Sequence, residues 1–222
     1  MTLFGTDVRR VEDHALLTGS GRFVADLDLP PGALCVVYVT SQMAHALLRS
    51  VDIDEARAMP GVVDIVTHQD LDVGPYPSMN PDFPIEAARA LLATDRVRFV
   101  GEAIAAVVAE TQAQAQDAAE LVMVDYDPLD PAADLETALR GEVLLYEGRD
   151  DNVVIELSGG DAESHVDDCE VVIEQTIISP RVAPCPIEGR VSASYWDDDK
   201  LIHYSACQGV HPIRALLAGA LG

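Results

Sequence analysis

Near its C-terminal end the chain reads Ser205-Ala206-Cys207-Gln208-Gly209-Val210-His211-Pro212, which sets a neutral amide between the end of a strand and the start of a helix. Gln208 carries donor and acceptor with no net charge, and Gly209 beside it leaves the backbone open to a ligand. The N–H groups of a helix start add further donors, and Pro212 suits the first helical turn. The pair Gln208 and Gly209 is therefore the candidate cofactor-binding feature. If this junction is one edge of a cofactor site, most of that site lies outside these 222 residues.

Other reactive side chains carry less. His203 and Cys207 lie four apart on an expected strand and share a face, but two ligands do not make a metal site. His14, His45, His68 and His165 stand apart in sequence and are assigned to surface or capping roles. Asp125 and Asp127 flank Tyr126 at a strand end, where a solvated turn is the simpler reading. No G-x-S-x-G, Walker-type loop or H-E-x-x-H occurs, and no nucleophile faces a base. No catalytic residue and no metal ligand is assigned. Cys35, Cys169, Cys185 and Cys207 have neither zinc nor iron-sulfur spacing and read as reduced core residues of an intracellular protein.

The elements that would position these residues follow from periodicity and turn chemistry. Residues 1–30 read as an extended lead-in, with Gly19-Ser20-Gly21 as a turn rather than a dinucleotide fingerprint. Ala33 to Thr40 is a buried strand. A short helix starts at Asp52 as N-cap, with Glu55 three positions on, and ends at Met59-Pro60-Gly61. Val62 to Thr67 is a second strand, and the prolines between 70 and 90 enforce an irregular excursion. Val97 to Ala109 is a strand broken by Gly101. Thr111 caps a helix whose small face is Ala115, Ala118, Ala119 and Val122, and Leu121 to Tyr126 returns to strand character. Strand, helix and strand form a compact α/β unit. Beyond it, a Gly- and Asp-rich linker covers 133–160, a short helix covers Asp161 to Asp168, and Val171 to Ile178 is a strand. A hairpin of Val191 to Trp196 and Leu201 to Cys207 turns at Asp197-Asp198-Asp199-Lys200 and leads to the final helix.

Composition bounds the function. The 38 acidic residues face 14 basic ones, a formal net charge of -24, and Lys200 is the only lysine. Nucleic acid and anionic membrane surfaces are excluded as partners because both need basic clusters. With 49% hydrophobic and 23% charged residues the chain is globular, not disordered. The opening Met1 to Asp7 carries no secretion signal, and the longest apolar run, Ala103 to Ala109, cannot span a bilayer, so no membrane insertion and a cytoplasmic location are expected. Pattern alone stops at an acidic soluble α/β protein of one or two domains.

Resemblance extends the reading. Arg9-Arg10-Val11-Glu12-Asp13 through Gly19-Ser20-Gly21-Arg22-Phe23-Val24-Ala25-Asp26 resembles the opening of the molybdenum-binding large subunit of the xanthine dehydrogenase, aldehyde oxidase and carbon monoxide dehydrogenase family. So do Ser41-Gln42-Met43-Ala44-His45-Ala46 and Met59-Pro60-Gly61-Val62-Val63. The run from Phe99-Val100-Gly101-Glu102-Ala103 to Asp125-Tyr126-Asp127-Pro128-Leu129 is similar to that family's hammerhead domain. Arg181-Val182-Ala183-Pro184-Cys185-Pro186-Ile187-Glu188-Gly189-Arg190 resembles the entry to its first molybdopterin-binding domain, with Gly189 where a proline is usual and Glu188 as a shared structural carboxylate. Ser205-Ala206-Cys207-Gln208-Gly209 resembles the segment whose glutamine approaches the metal, with Cys207 in place of a threonine.

The resemblance implies an α+β fold class: a hammerhead α/β domain over 31–132, the linker, and a partial first molybdopterin-binding domain over 161–222. It implies a molybdenum hydroxylase acting on an aldehyde, purine, N-heterocycle or carbon monoxide, with water as oxygen source and electrons leaving through iron-sulfur clusters and flavin. The molybdopterin-type molybdenum cofactor belongs to the complete enzyme, none being held by this chain alone. The family's base and pterin-flanking glycines fall beyond residue 222, so the isolated chain is expected to be inactive. Implied partners are the remaining large-subunit segment, an iron-sulfur subunit and an FAD subunit, with a homodimer also open to it. Two rival readings are a non-catalytic hammerhead module for subunit assembly and a small-molecule binder; the latter predicts an enclosed apolar pocket within 33–130.

Overall fold

In a computed structural model that describes residues 4–76, 80, 82–160, 166, 169–180 and 182–221, two contact-defined units emerge. The larger comprises Leu34–Ile177 with the chain from Arg214 on; the smaller comprises the chain up to Ala33 with Ile178–Ile213.

Six strands of the larger unit, β1 (Cys35–Thr40), β2 (Ala46–Asp52), β3 (Val62–Thr67), β4 (Arg96–Val97), β5 (Ala103–Ala109) and β6 (Met123–Pro128), make two antiparallel sheets, ordered β1-β5-β3 and β4-β2-β6. β5 is the middle strand of the first and is covered on both faces, which is why its sequence is continuously apolar rather than alternating. Its Ala105, Val107 and Ala109 form one core cluster with Ile65 of β3 and with Ala115 and Ala118 of helix α3 (Gln112–Ala119); Ile104 points into a second, with Ala46, Ala93 and Val97. Alanines on both helix and strand let α3 lie close on the sheet. The Thr111 hydroxyl oxygen accepts from the Gln114 N–H at 3.3 Å, the cap read from sequence.

Several expectations are corrected. β5 and β6 belong to different sheets, so α3 links two sheets rather than completing a unit within one. Helix α2 (Asp54–Arg57) has Ile53 at its N-cap position with no side-chain bond; Asp52 is the last residue of β2, paired with Met123, and its Oδ1 accepts from the Asp54 N–H at 3.0 Å. The lead-in carries helix α1 (Asp13–Leu17) and a single 3-10 turn at Val24–Asp26. Val171 to Ile178 forms no strand: residues 171–180 are all exposed and pair with no described residue. Cys35 is half-buried in β1, whereas Cys169, Cys185 and Cys207 are exposed and lie outside any core. The helix expected over 161–168, with His165, lies outside the described residues apart from Val166, as do Pro77, Pro81 and Arg181 of the other motifs.

The stretch read as a linker is locally built. Helix α4 (Leu135–Arg140) is capped by Asp134, whose Oδ1 accepts from the Thr137 N–H at 2.8 Å, and stops at Gly141 in the left-handed region at φ 67°. The Asn152 amide donates to the Ala138 and Val143 carbonyls at 3.1 and 2.7 Å and accepts from the Leu145 N–H at 3.0 Å. Arginines then fasten 145–147 to the strand β4 region. Arg98 donates through Nε to the Leu145 carbonyl at 2.8 Å and stacks its guanidinium 4.9 Å from the Tyr146 ring centroid, while Arg96 pairs with Glu147.

Candidate functional site

In the smaller unit, β7 (Ser192–Asp197) and β8 (Lys200–Ser205) pair in register from Ser192 with Ser205 to Asp197 with Lys200. The two-residue turn has Asp198 at φ 49°, a left-handed conformation that Asp tolerates and a tight hairpin requires. The Ala206 N–H donates to the Val191 carbonyl at 3.1 Å, extending the ladder one step. The chain then bends at Gln208 and enters α5 (Val210–Leu221), with Pro212 in its first turn.

Gln208 is exposed and its side chain hydrogen-bonds to no described residue. Gly209 is half-buried; a Cβ there would meet the Pro212 ring at 3.2 and 3.3 Å, so the absence of a side chain lets the proline close onto the bend. The hydrogen-bonding capacity of the Gln208 amide is thus unspent among the described residues. Of the other residues singled out by sequence, His203 is not brought to Cys207: β8 ends at Ser205, and the His203 Nδ1 lies 2.8 Å from the Ser194 hydroxyl directly across the hairpin. The pKa of the Tyr195 hydroxyl is raised above its ordinary 10.0, first by the neighbouring Tyr204 hydroxyl and then by desolvation, the two rings stacking with centroids 6.5 Å apart. Glu188 accepts the Val24 N–H at 2.8 Å, a bond between segments 164 positions apart, and is a structural carboxylate. Among the described residues no three His, Cys, Asp or Glu side chains converge as a metal site.

The most recognisable motif residues of the larger unit build a corner. Ser41 N–H donates to the Glu102 carbonyl and Gly101 N–H to the Ser41 carbonyl, both at 2.8 Å, with Gly101 at φ 92°. The Ser41 hydroxyl closes the turn through Met43, and buried Glu102 receives the Arg98 N–H at 2.6 Å. His45, assigned to the surface or to a cap from sequence, is buried at 4% exposure; its Nδ1 reaches the Asp130 carbonyl at 2.8 Å and its Nε2 is buried with no hydrogen-bond partner among the described residues. Asp127, expected in a solvated turn, lies within β6 and pairs with Arg49 of β2. Sequence reading missed β2 and the Arg96 and Arg98 contacts, and the strand it ran from Val97 to Ala109 is two strands, β4 ending at Val97 and β5 starting at Ala103, in different sheets. Asp134 with Thr137 three positions on and Gly141 behind was a legible helix signature.

A cleft of about 420 Å³ lies between β1, α3 and β6, lined by Thr40, Gln42, Gln116 and Glu120 as well as Val39 and Val124. This mixed lining differs from the enclosed apolar pocket that a small-molecule binder would require.

Both parts of the chain, the one with the two small antiparallel sheets and the one with the hairpin and final helix, match known proteins. The profile of the aldehyde oxidase and xanthine dehydrogenase a/b hammerhead domain matches residues 18–130, and that of the molybdopterin cofactor-binding domain matches 145–222. The chain belongs to the aldehyde oxidase and xanthine dehydrogenase family. It is 34% identical to the nicotine 6-hydroxylase large subunit of Paenarthrobacter nicotinovorans, over 99% of this chain and 28% of that protein. It is 32% identical to the carbon monoxide dehydrogenase large chain of Afipia carboxidovorans, over 96% and 28%. Quinoline 2-oxidoreductase from Pseudomonas putida superposes with a TM-score of 0.81 at 33% identity, covering 96% of this chain and 28% of that one. The chain thus spans under a third of the length of each of these three relatives. The α+β class, with a hammerhead followed by the start of a molybdopterin-binding domain, is the fold expected from the sequence. Among the described residues no helix is long and apolar enough to cross a membrane.

Proposed function

We propose that this chain is the N-terminal portion of a molybdenum hydroxylase large subunit, and that Gln208 and Gly209 form one wall of its cofactor site. The observation that carries the reading is the exposed Gln208 amide, unbonded among the described residues, at the β8 to α5 bend inside the segment matched by the cofactor-binding profile. The donor set fits the group: an uncharged amide can orient an oxygen or sulfur acceptor on the metal without adding charge that would disturb its redox couple. Gly209 contributes by letting Pro212 pack against the bend, which fixes where α5 begins and hence where the amide is presented.

When bound, the cofactor would supply two-electron oxidation of an electron-poor carbon with water as the oxygen source. This chain's part is to bind and orient; the reading assigns it no catalytic residue. The substrate is an aldehyde, a purine, an N-heterocycle or carbon monoxide. Partners in the working enzyme are the rest of the large subunit, an iron-sulfur subunit and an FAD subunit, in the cytoplasm, with the domain division 31–132, 133–160 and 161–222. That several relatives are named as subunits of larger enzymes supports this assembly. Metal and pterin analysis of the purified 222-residue chain, alone and co-purified with the partner subunits and the rest of the large subunit, tests the proposal. Molybdenum is expected only in the assembled sample. Stoichiometric molybdenum in the isolated chain would refute the half-site, and a metal-free assembled sample would favour the assembly-module reading.

A further inference from the structure

Four strands form the outer edges of the two sheets of the larger unit: β1 and β3 of one, β4 and β6 of the other. An open strand edge offers unpaired N–H and C=O groups to any passing chain, and folded proteins blunt it with charge, proline or brevity. β6 carries Asp125, Asp127 and Pro128; β4 is two residues long and holds Arg96; β3 carries Asp64, and Arg57 donates to its Ile65 carbonyl at 3.1 Å. β1 alone, Cys35-Val36-Val37-Tyr38-Val39-Thr40, has six residues with neither charge nor proline. Its one irregularity of register falls between Val39 and Thr40, so Cys35–Val39 runs regular.

The direction of its backbone groups follows from alternation. The Ser41 N–H points to β5, where it meets the Glu102 carbonyl. Successive residues of a strand turn their N–H groups to opposite edges, so Val39 and Val37 also point to β5, whereas Tyr38 and Val36 turn outward. That outward edge opens on the cleft of about 420 Å³, where Val39, Ala119 and Val124 offer apolar contact and Gln116 and Glu120 offer polar contact. The Glu120 carboxylate is exposed and makes no hydrogen bond or ion pair among the described residues, and Asp117 and Asp125, beside Gln116 and Val124, are in the same condition.

We propose that β1 and the cleft beside it accept, as an added strand, an extended segment of a separate polypeptide whose side chains alternate apolar residues with Lys or Arg. The occupant is argued from charge. Residues 23–44 and 99–139, which supply all the lining of the cleft, contain no Lys, Arg or His, so a neutral strand edge stands among unpaired carboxylates with no cation of its own. Main-chain bonds to the outward groups of Val36 and Tyr38 would hold such a segment, and its alternate side chains would divide between the apolar contacts and Glu120. A second copy is the poorer fit, since pairing β1 with β1 would bring each Glu120 to its own like between molecules of formal charge -24. The inference goes beyond the proposed function and does not use Gln208.

Amide-resolved hydrogen exchange on the 222-residue chain tests it, with the peptide Ac-Arg-Val-Arg-Val-Arg-Val-NH2 as probe and Ac-Glu-Val-Glu-Val-Glu-Val-NH2 as control. At about 1 mM basic peptide the Val36 and Tyr38 amides are expected to slow by about 10-fold or more, while Val37 and Val39, already bonded to β5, change little. The acidic peptide should leave all four unchanged, and added salt should weaken the effect. Glu120→Gln is expected to lower affinity for the basic peptide about 2- to 5-fold. Tyr38→Lys, which places a charge on the open edge, should abolish binding with the thermal melt retained. No slowing at Val36 and Tyr38, or equal slowing by both peptides, would overturn the proposal. Slow exchange at these amides without peptide would overturn it too: in a sedimenting dimer it would assign the edge to a second copy, and in the full-length large subunit to the remainder of the same chain. No metal enters the measurement, so its failure leaves the cofactor reading untouched, and loss of the cofactor reading leaves the strand edge standing.

Discussion

Removal of the Arg98 side chain should loosen one defined segment without unfolding the hammerhead. Arg98 reaches the 145–147 stretch by its Nε bond to the Leu145 carbonyl and by its guanidinium over Tyr146, while its backbone N–H stays on Glu102 whatever the side chain. A hydrogen bond of this kind is worth about 1 kcal/mol and a partly exposed cation–π contact about 0.5–1 kcal/mol, so Arg98→Ala should weaken the attachment by roughly 1.5–2 kcal/mol. If 145–147 opens locally, that is a rise of roughly 10- to 30-fold in the open population. Hydrogen exchange or limited proteolysis across 141–153 reads it directly, with β5 amides as internal control. Arg98→Lys should recover only the cation–π share. If exchange at 141–153 is unchanged in Arg98→Ala, or if β5 loosens by the same factor, the segment is not held by this residue and the reasoning fails.

Gly61 sits at φ 83°, and a Cβ there would come 2.0 Å from the Gln114 amide nitrogen, so Gly61→Ala should displace the side chain bonded to Thr111. Left-handed strain alone costs about 1–2 kcal/mol, and a Tm lowered by roughly 3–8 °C is expected in a thermal melt; an unchanged Tm would refute the geometry. Gln208→Ala should alter the stability of the isolated chain by no more than about 0.5 kcal/mol, because the amide is exposed and unbonded among the described residues. In the assembled enzyme the same change should cost about 10- to 100-fold in cofactor retention or turnover. The side-chain and backbone hydrogen bonds from Thr137 hold Asp134 below its ordinary 3.8. A depressed carboxylate stabilises the α4 cap above its unfolded value and loses that contribution as pH falls through the lower folded value. The Thr137 amide resonance should therefore titrate with a midpoint under 3.8, and Asp134→Asn should abolish the titration; a midpoint at or above 3.8 would contradict the cap.

The parts of the fold legible in the sequence were those governed by local chemistry. Val62–Thr67, the Thr111 cap, the break at Gly101 and the turn at Asp198 each follow from a few neighbouring residues whose conformational preferences agree. The family motifs were legible too, but the structure gives several of them a mechanical role: Ser41, His45, Gly101 and Glu102 build a corner. Gln208 and Gly209 were visible as residue types at a strand-to-helix junction. That the glutamine is left unbonded among the described residues was not visible, because satisfaction of a side chain depends on groups far along the chain.

Tertiary structure decided the rest, wherever the deciding partner is distant. Two sheets rather than one could not be read from β5, α3 and β6, since the path of the chain between strands is set by which faces they bury. His45 is buried because Asp130, 85 positions away, brings its carbonyl to the ring; Glu188 is structural because Val24, 164 positions away, meets it. Val171 to Ile178 makes the converse point. Its residues specify a strand, but a strand exists only where a neighbour completes its hydrogen bonds, and the pattern of one segment carries no information about which segment that is.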